Sequence, residues 1–565
     1  FLYNNLLTNP LIIAIICSLY AIYRYYASKY TYWETQGVRT APFGYWQRLY
    51  KRWFKWEQEL YGRYGKCFGV YESTRPVLYL ADPDLIRDVL VKDFHIFTNR
   101  RDISTGLLMD KILPNLKSEN WKRVRTVVSP TFTLGKLRKM LPLIGDCLKT
   151  LDRNLDTAAK TTTNRVVGYD MKRLFCAYSM EVILQVSFGI KVDAMMDADN
   201  PIIVNACKLL SHEFGPMLYL LMFVPRLAHL MKLSIFDTQV IEFFHQLSLQ
   251  VIEERRQKSL TESPGTAPKR VDLLQLMLDS INDDSTGSSG STGSTGSTGP
   301  EFATHSDDKV DEKYREYSSS SSSNGRNNSS NTTNNNNNNN KTDSFKKYLT
   351  NDELIASCVV FFVAGFENII TTLSNATHLL AANPDCQQRL YDEVADYFRG
   401  QHDRQSDESI ADYETLHSLK YLDAVIKETL RLYPNSIALE REASDDYQLG
   451  GPDNGIQIRK GQLIHILTYS IHHDPANYPE PYRFRPERFL PENQTHHPYT
   501  YLPFGGGPRN CIGMRLAQMI VKQALVNAVH KYSFHDTGKP LEFYKYQVFG
   551  IMTPKEVFVR VEKRQ

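Results

Sequence analysis

Apolar positions spaced three and four residues apart dominate the long middle of the chain, which is typical of helices with one buried face. They recur in the segments Gln239–Gln257 and Leu273–Leu278. Short strands are indicated at Pro76–Leu80, and at Gly455–Arg459 and Leu463–Thr468 around Lys460-Gly461. The pattern therefore predicts a mainly α fold with a small β-sheet.

One helix stands out because both of its ends are marked. Thr350 followed three residues later by Glu353 forms a capping box, and Asn383-Pro384 ends the apolar run between them. A helix of this length is roughly 50 Å long, enough to cross a whole domain. Its centre, Phe361 to Gly365, is apolar all round, which predicts burial on every side.

The N-terminus and one internal segment depart from this pattern. Residues 1–23 carry no charge, and Arg24 and Lys29 follow at once. This predicts a transmembrane anchor over residues 1–28 whose C-terminal side faces the cytosol. Between residues 283 and 342 the composition collapses into Ser, Thr, Gly and Asn, which predicts a disordered low-complexity insertion.

Charge and cysteine content exclude several classes of protein. The net charge is +3, far from the strongly basic balance of a protein that binds nucleic acid. The eight cysteines include no C-x-x-C pair, which argues against a disulfide framework or a structural zinc site. His472-His473-Asp474 is interpreted as a connecting turn, because no other His or Cys stands at ligand spacing.

The loop at residues 504–513 carries the strongest chemical signal. It reads FGGGPRNCIG and precedes a helix predicted from about Gly513 to Tyr532. Its glycines allow the backbone to pass close under a planar ligand, and N–H groups after Cys511 can hydrogen-bond the sulfur. The helix N-terminus favours a thiolate, and Arg509 offers a charge to a carboxylate.

Two other interpretations of this loop compete with a metal-binding thiolate. A lone cysteine in a glycine-rich turn is more often a buried apolar side chain. A phosphate-binding loop is disfavoured, because neither G-x-G-x-x-G nor G-x-x-x-x-G-K-[ST] is present. The full ten-residue pattern favours a loop that delivers one thiolate to a metal cofactor.

The pattern F-x-x-G-x-R-x-C-x-G resembles the haem-binding signature of cytochromes P450. The resemblance covers nearly the whole chain outside the insertion. Within the family, the chain is similar to the animal microsomal clan that contains the family 3 drug-metabolising enzymes and thromboxane synthase. It implies the P450 fold, with a single large haem domain over residues 29–565 plus the N-terminal transmembrane helix. It also implies haem b, with the Cys511 thiolate as axial ligand of the iron.

Further motifs agree with this resemblance and assign roles to single residues. Glu428 and Arg431 match the family's E-x-x-R pair, and Arg488 matches the arginine that completes that buried cluster. Trp121 and Arg125 match a W-x-x-x-R helix that reaches a haem propionate. The cofactor-binding residues implied are Cys511, Phe504, Arg509, Trp121, Arg125, Arg100 and Arg441.

The chain departs from the family pattern at one catalytic position. Where relatives carry Ala/Gly-Gly-x-Asp/Glu-Thr, this chain reads Ala364-Gly-Phe-Glu367-Asn368. The catalytic residues implied are therefore Glu367 and Asn368, but an amide relays protons less well than a hydroxyl. Thr372 lies one turn further along the helix and could help only through water.

The resemblance implies a haem-thiolate monooxygenase that inserts one oxygen atom of O₂ into an apolar small molecule. Two alternatives stay open at this point. One is a thromboxane-synthase-like isomerase that rearranges a fatty-acid peroxide without O₂, because such enzymes also depart at the position of Asn368. The other is a haem-binding protein without catalysis.

Partners and location are implied in the same way. No nicotinamide or flavin fingerprint occurs, so electrons come from NADPH-cytochrome P450 reductase, with cytochrome b5 as an additional donor. The enzyme is expected in the endoplasmic reticulum membrane with its catalytic domain on the cytosolic side. A basic docking face is predicted from Lys122, Arg123, Arg515 and Lys522. A bilayer-dipping segment is predicted at residues 215–225, and pocket residues at Val360, Ala364, Ser436 to Ala438 and Ile551.

Overall fold

The computed structural model describes residues 10–41, 52–72, 74–101, 108–162, 168–194, 200–210, 237–261, 271–283, 349–400, 411–452, 455–543 and 551–564. The predicted insertion, apart from Asp283, lies outside the described residues, and so does the segment 215–225.

Helices make up most of the described chain, as the spacing of apolar residues predicts. Their bounds are α1 Pro10–Lys29, α2 Trp53–Tyr64, α3 Pro83–Arg87, α4 Ser118–Val128, α5 Leu134–Arg138, α6 Leu141–Thr162, α7 Met171–Phe188, α8 Pro201–Leu210, α9 Thr238–Thr261, α10 Leu273–Asp283, α11 Asn351–Ala382, α12 Pro384–Arg399, α13 Tyr413–Ser418, α14 Lys420–Leu432, α15 Thr468–His472 and α16 Met514–Lys531.

Three small sheets accompany the helices. Their strands are β1 Cys67–Glu72, β2 Arg75–Leu80, β3 Tyr169–Asp170, β4 Leu439–Glu442, β5 Tyr447–Leu449, β6 Ile456–Ile458, β7 Leu463–Ile466, β8 Tyr532–Asp536 and β9 Phe558–Lys563. The largest sheet has the order β1-β2-β7-β4, with β2 and β7 parallel. The others pair β3-β9-β8 and β5-β6. The three strands predicted from the sequence correspond to β2, β6 and β7.

The long helix α11 has the predicted capping box. The Thr350 hydroxyl accepts the Glu353 N–H at 3.2 Å, and the Glu353 carboxylate accepts the Thr350 N–H at 2.9 Å. The helix packs against α7 so closely that a Cβ on Gly365 would come within 2.6 Å of the Ile183 side chain. The main hydrophobic core is built around these two helices.

The prediction that the centre of α11 is buried on every side is wrong. Phe362 is buried, but Phe361, Val363 and Gly365 are half-buried and Ala364 is exposed. Apolar side chains all round a central helix do not require protein contacts all round, because an apolar ligand cavity is lined by the same residue types. The open face of the helix is therefore a candidate cavity wall.

The N-terminal helix forms as predicted, over Pro10–Lys29. Several of its large apolar or aromatic side chains are exposed, among them Ile13, Ile16 and Tyr20. Among the described residues, the helix that is long and apolar enough to cross a membrane by composition is α11, and two-thirds of its most apolar stretch is buried in the protein. The transmembrane role of residues 1–28 stays a prediction.

The buried ion-pair cluster predicted around Glu428 is confirmed. The Glu428 carboxylate accepts from Arg431 Nε at 2.7 Å and from Arg488 Nε at 3.2 Å. The side chains of Glu428 and Arg431 are both 0% exposed. Arg431 also donates to the carbonyls of His472 and Pro481, so its charged group is satisfied on all sides. The cluster ties α14 to the segment that leads into the cysteine loop.

Candidate functional site

Cys511 lies at the end of its loop, directly before helix α16. Its N–H donates to the Phe504 carbonyl at 2.9 Å, which closes the loop on itself. Burial raises the pKa of the Cys511 thiol, whereas the Gly513 N–H and the guanidiniums of Arg125 and Arg100 lower it. The side chain is nevertheless exposed, so the sulfur faces an opening enclosed by protein. The net effect is a raised pKa of the thiol, so a metal cation at this opening would be needed to hold the side chain as a thiolate.

The loop glycines also allow close packing against another part of the chain. Gly505 and Gly507 have φ values of +76° and +69°, a region that L-residues with side chains rarely adopt. A Cβ on Gly507 would lie 1.9 Å from the Leu90 carbonyl oxygen. The close approach is therefore to the backbone of residues 88–92. Gly513 makes no tight contact, because a Cβ there would meet only Phe132, at 4.0 Å.

This contrast gives a stability prediction. Gly507→Ala forces a clash with a backbone carbonyl in a conformation that alanine disfavours, and we expect it to lower the free energy of unfolding by about 3 kcal/mol or more. Gly513→Ala, which keeps the N–H that faces the sulfur, is the matched control and should cost less than about 1 kcal/mol. Denaturant unfolding of the two variants measures this difference, and equal losses would contradict the packing described here.

Four arginines converge on this loop from four separate parts of the chain. Arg100 follows the helical turns after β2, Arg125 lies on α4, Arg441 on β4 and Arg509 in the loop itself. The last three are at most 6% exposed. Burial lowers the pKa of Arg509, and the positive charges of Arg100, Arg441 and Arg125 lower it further. The guanidiniums are thus close enough to repel one another.

Main-chain carbonyls hold most of this arginine cluster in place. Arg125 donates to the carbonyl and to the side-chain oxygen of Asn510, both at 3.0 Å. Arg509 donates to the Leu116 carbonyl at 2.5 Å, and its guanidinium lies 4.6 Å from the centroid of the Trp121 ring. These contacts fix the arginine positions without neutralising their charge.

Among the described residues, no carboxylate forms an ion pair with the arginine cluster, although the charge of Glu440 acts on Arg100 and Arg441. The Nε atoms of Arg100, Arg441 and Arg509 are buried without a hydrogen-bond partner. The nearby Glu440 carboxylate accepts two hydrogen bonds from the Arg101 Nε at 3.0 and 3.1 Å. Buried guanidiniums require carboxylate or phosphate partners. A ligand that brings carboxylates to this cluster and an iron to Cys511 satisfies both needs, so the residues present fit haem.

The centre of α11 borders the same interior space. The Phe132 ring, which a Cβ on Gly513 would touch, packs edge to face on Phe361 with 5.2 Å between ring centroids. Phe132 thus connects the cysteine loop with the helix that carries Ala364, Glu367 and Asn368. The exposed Ala364 lies about one turn from each of the two candidate catalytic residues.

The two candidate catalytic residues face different partners. Glu367 accepts a hydrogen bond from the Thr553 hydroxyl at 2.6 Å. Asn368 donates its side-chain amide to the Ala364 carbonyl at 2.6 Å. The Thr372 hydroxyl does not take the place of the missing hydroxyl at Asn368. It donates to the Asn368 carbonyl at 2.8 Å and accepts from the Asn435 amide at 3.1 Å. Thr372 is therefore held by protein groups.

The structure brings together the predicted cofactor-binding residues, Cys511, Phe504, Arg509, Trp121, Arg125, Arg100 and Arg441. Glu367 and Asn368 lie apart from them on α11. Sequence reasoning missed Asn510, which anchors Arg125, and Thr553, which bonds Glu367. Asn510 stands inside the loop motif and could have been found there. Thr553 lies 186 residues after Glu367, and no local pattern connects the two.

The structure does not support two of the four residues predicted to form a basic docking face. Lys522 is buried and pairs with Asp423 at 2.9 Å, and Arg123 pairs with Glu353, so neither contributes a free charge to a basic docking face. His472 ends helix α15 and is 0% exposed, and a turn begins at His473, so the predicted connecting turn starts one residue later than expected. Among the described residues no cluster of three His, Cys, Asp or Glu side chains is arranged to hold a metal ion.

Comparison with known proteins agrees with the site. The chain matches the sequence profile described as "Cytochrome P450" over residues 41–295 and 299–559. It is 34% identical to cytochrome P450 3A11 of Mus musculus over 558 residues, covering 96% of this chain and 94% of the relative. It is 33% identical to cytochrome P450 3A9 of Rattus norvegicus, covering 97% and 96%.

The fold, the arginine cluster and these relatives confirm the resemblance found in the sequence. The chain therefore belongs to the cytochrome P450 family, is similar to its family 3 microsomal members, and is an oxidoreductase of the monooxygenase type whose cofactor is haem with a cysteine thiolate on the iron.

Proposed function

We propose that this protein inserts one atom of O₂ into an apolar small molecule, with electrons from NADPH-cytochrome P450 reductase. The overall reaction consumes substrate, O₂, two electrons and two protons, and yields hydroxylated product and water. Haem, when bound, supplies the redox centre at which O₂ is reduced. The observation that carries the proposal is that an accessible Cys511 lies beside an arginine cluster with which no carboxylate of the described residues forms an ion pair.

The chain's own residues hold the cofactor in this account. Cys511 would provide the thiolate ligand of the haem iron, and the Gly513 N–H would stabilise its negative charge. Arg100, Arg441 and Arg509 each have a buried Nε free for a propionate. Arg125 stabilises the thiolate by its charge and is kept in place by Asn510. Residues 29–565 then act as one haem domain.

Proton delivery is the step in which this chain differs from its relatives. Glu367 is the proposed acid that hands protons to the reaction site. Asn368 can hold a water molecule with its second amide hydrogen, but an amide does not exchange protons readily. Substrate oxidation is therefore expected to proceed. A larger share of the electrons should end in hydrogen peroxide than in an enzyme with a hydroxyl side chain at position 368.

Introducing a hydroxyl side chain at position 368 tests whether Asn368 limits proton delivery. Asn368→Thr places a hydroxyl on α11 at the position where the family pattern has threonine, and a hydroxyl can both donate and accept a proton. We expect product formed per NADPH to rise by about tenfold, and to fall at least about 100-fold in Glu367→Gln. Both ratios are measured in reductase-reconstituted enzyme with a panel of n-alkanes, alkylamines and steroids. Unchanged ratios in both variants would show that protons arrive by another route.

The substrate pocket is proposed along the open face of α11. Val360 and Ala364 lie on this helix, and Ser436, Ala438 and Ile551 are half-buried in segments outside it. Apart from the hydroxyl of Ser436, which donates to the Ala438 carbonyl at 2.6 Å, these side chains are apolar. They favour an apolar substrate without selecting one.

Membrane attachment is proposed through residues 1–28. The exposed Ile13, Ile16, Tyr20 and Tyr23 of α1 would be covered by lipid. This places the protein in the endoplasmic reticulum membrane with the haem domain in the cytosol, where the reductase and cytochrome b5 can reach it. Arg123 and Lys522 form ion pairs within the protein. The exposed Lys122 and the half-buried Arg515 are the other proposed contributors to the docking face.

One experiment separates this function from the peroxide isomerase considered above. The reductase-reconstituted enzyme is given NADPH and the substrate panel, or a fatty-acid endoperoxide alone. A monooxygenase consumes O₂ and NADPH in a substrate-dependent manner and leaves the endoperoxide largely unchanged. Rapid endoperoxide turnover without O₂ uptake would replace the proposal with the isomerase.

A further inference from the structure

One face of α11 beyond Glu367 is polar although it is buried. Glu367, Thr371, Ser374, Asn375 and His378 fall within roughly 100° of one another around the helix axis. Thr371, Ser374 and Asn375 are 0% exposed. A buried stripe of this kind is costly unless its groups have hydrogen-bond partners, and the hydrophobic residues around it do not provide them. We refer to these five residues as the polar stripe.

The first two links of the polar stripe are hydrogen-bonded in a defined direction. The Thr553 hydroxyl donates to Glu367 Oε1 at 2.6 Å, and Thr553 and Thr371 hydroxyl oxygens are 3.1 Å apart. Each hydroxyl has a single hydrogen, and an ionised carboxylate only accepts. Because the Thr553 hydroxyl donates its hydrogen to Glu367, it can only accept from Thr371, so Thr371 is the donor in that pair. Both hydrogens therefore point toward Glu367.

Within the part of the chain that the structure describes, the side chains of the next two residues of the stripe have no hydrogen-bond partners. Ser374 Oγ and both side-chain polar atoms of Asn375 are buried without a hydrogen bond. Other hydroxyls of the same helix bond the carbonyl four residues earlier, as Thr377 does at 2.8 Å. Buried polar atoms without protein partners are usually satisfied by ordered water. Asn375 lies roughly 6 Å beyond Thr371 along the axis, a distance that one or two waters bridge.

The far end of the polar stripe reaches the surface. His378 is half-buried, and burial lowers its pKa although the charge of the exposed Asp536 on strand β8 opposes this. Helix α11 packs on β8. The stripe thus connects an imidazole near solvent with the Glu367 carboxylate inside.

We propose that the polar stripe and Thr553 form a water-filled proton path from His378 to Glu367. This inference rests on the proposed role of Glu367 as the proton donor to the reaction site. For each proton that Glu367 delivers, the Thr553 hydroxyl passes its hydrogen to the carboxylate and takes one from Thr371. Thr371 takes one from the waters at Ser374 and Asn375, and those waters are replenished from solvent past His378. The net transfer is one solvent proton inward.

Thr553 and Thr371 are positioning residues in this scheme, because they act through Glu367. Their loss is tested with Thr553→Val and Thr371→Val, which remove a hydroxyl at nearly constant volume. Thr553→Ser is the rescue variant, since it restores the hydroxyl. Thr377→Val is the matched control, because that buried hydroxyl lies on another face of α11 and bonds only the Leu373 carbonyl.

The first readout is the fate of oxygen in enzyme with reductase and NADPH and no added substrate. Two electrons and two protons convert O₂ to peroxide, and four of each convert it to water. Thr553→Val and Thr371→Val should raise the peroxide released per NADPH about threefold and enlarge the solvent isotope effect on water formation. Thr553→Ser and Thr377→Val should match the parent enzyme. Equal values in all four variants would overturn the path.

The second readout does not depend on turnover. A high-resolution crystal structure should show ordered waters bonded to Ser374 Oγ and to the Asn375 amide, in line with Thr371. A dry, repacked stripe would overturn the proposal even if the variants lose activity. If Glu367→Gln leaves the peroxide yield unchanged, the proposed function of Glu367 fails. If Glu367→Gln raises it and Thr553→Val does not, only the path fails.

Discussion

Replacing Cys511 by alanine should abolish the ferrous–CO absorption band near 450 nm and lower turnover at least about 1,000-fold, about 4 kcal/mol on the transition-state scale. The reason is that the Cys511 sulfur is the proposed axial ligand, and the thiolate donates electron density to the metal. Cys511 faces an opening in the protein, accepts the Gly513 N–H and lies near Arg100 and Arg125. The CO difference spectrum of purified protein measures the loss.

Cys386→Ala is the matched control for this prediction. Cys386 is a half-buried free cysteine on α12 whose thiol pKa is raised by burial, and it lies outside the arginine cluster. The control should keep the band and its turnover within about twofold. A Cys511→Ala protein with an unchanged spectrum would show that another group binds the iron.

Removing Arg431 should have the largest effect on folding. Arg431→Leu leaves the Glu428 carboxylate, which is 0% exposed, with a single arginine partner in place of two. It also removes the donors to the His472 and Pro481 carbonyls. Breaking a buried charge cluster from one side costs about 3–5 kcal/mol. We expect little folded, haem-containing protein, with an unfolding midpoint several degrees lower in what remains.

Arg399→Leu is the control at the same sequence spacing. Asp396 and Arg399 also stand three residues apart on a helix, but both side chains are 70% exposed. Their loss should change the free energy of unfolding by less than about 0.5 kcal/mol. Thermal unfolding of the two variants provides the comparison. Similar stability losses in both would mean that burial of the Glu428 cluster does not determine its energetic role.

Local chemistry made part of this site predictable from the sequence. Two features depend only on residues a few positions apart, the capping box of Thr350 and Glu353 and the loop around Cys511. Such short-range patterns can be recognised in one sequence without an alignment. The pairing of Glu428 with Arg431 is predictable because side chains three residues apart lie on the same face of a helix. The arginines were assigned by resemblance to a known family, since nothing in their own surroundings distinguishes them from surface arginines.

Long-range packing explains what could not be predicted. Gly507 is required by the Leu90 backbone, which lies more than 400 positions earlier in the chain. Lys522 resembles a surface lysine on an amphipathic helix, but α16 carries it into a buried pair with Asp423. The burial of α11 was overestimated because apolar character does not distinguish contact with protein from contact with a ligand cavity.

The direct test of the central claim is the fate of isotopically labelled oxygen. The reductase-reconstituted enzyme is supplied with NADPH, ¹⁸O₂ and the panel of n-alkanes, alkylamines and steroids, and products are analysed by mass spectrometry. A monooxygenase places one ¹⁸O atom in the product and the other in water, and this is the result predicted here. Products without ¹⁸O, together with rapid rearrangement of a fatty-acid endoperoxide in the absence of O₂, would contradict it.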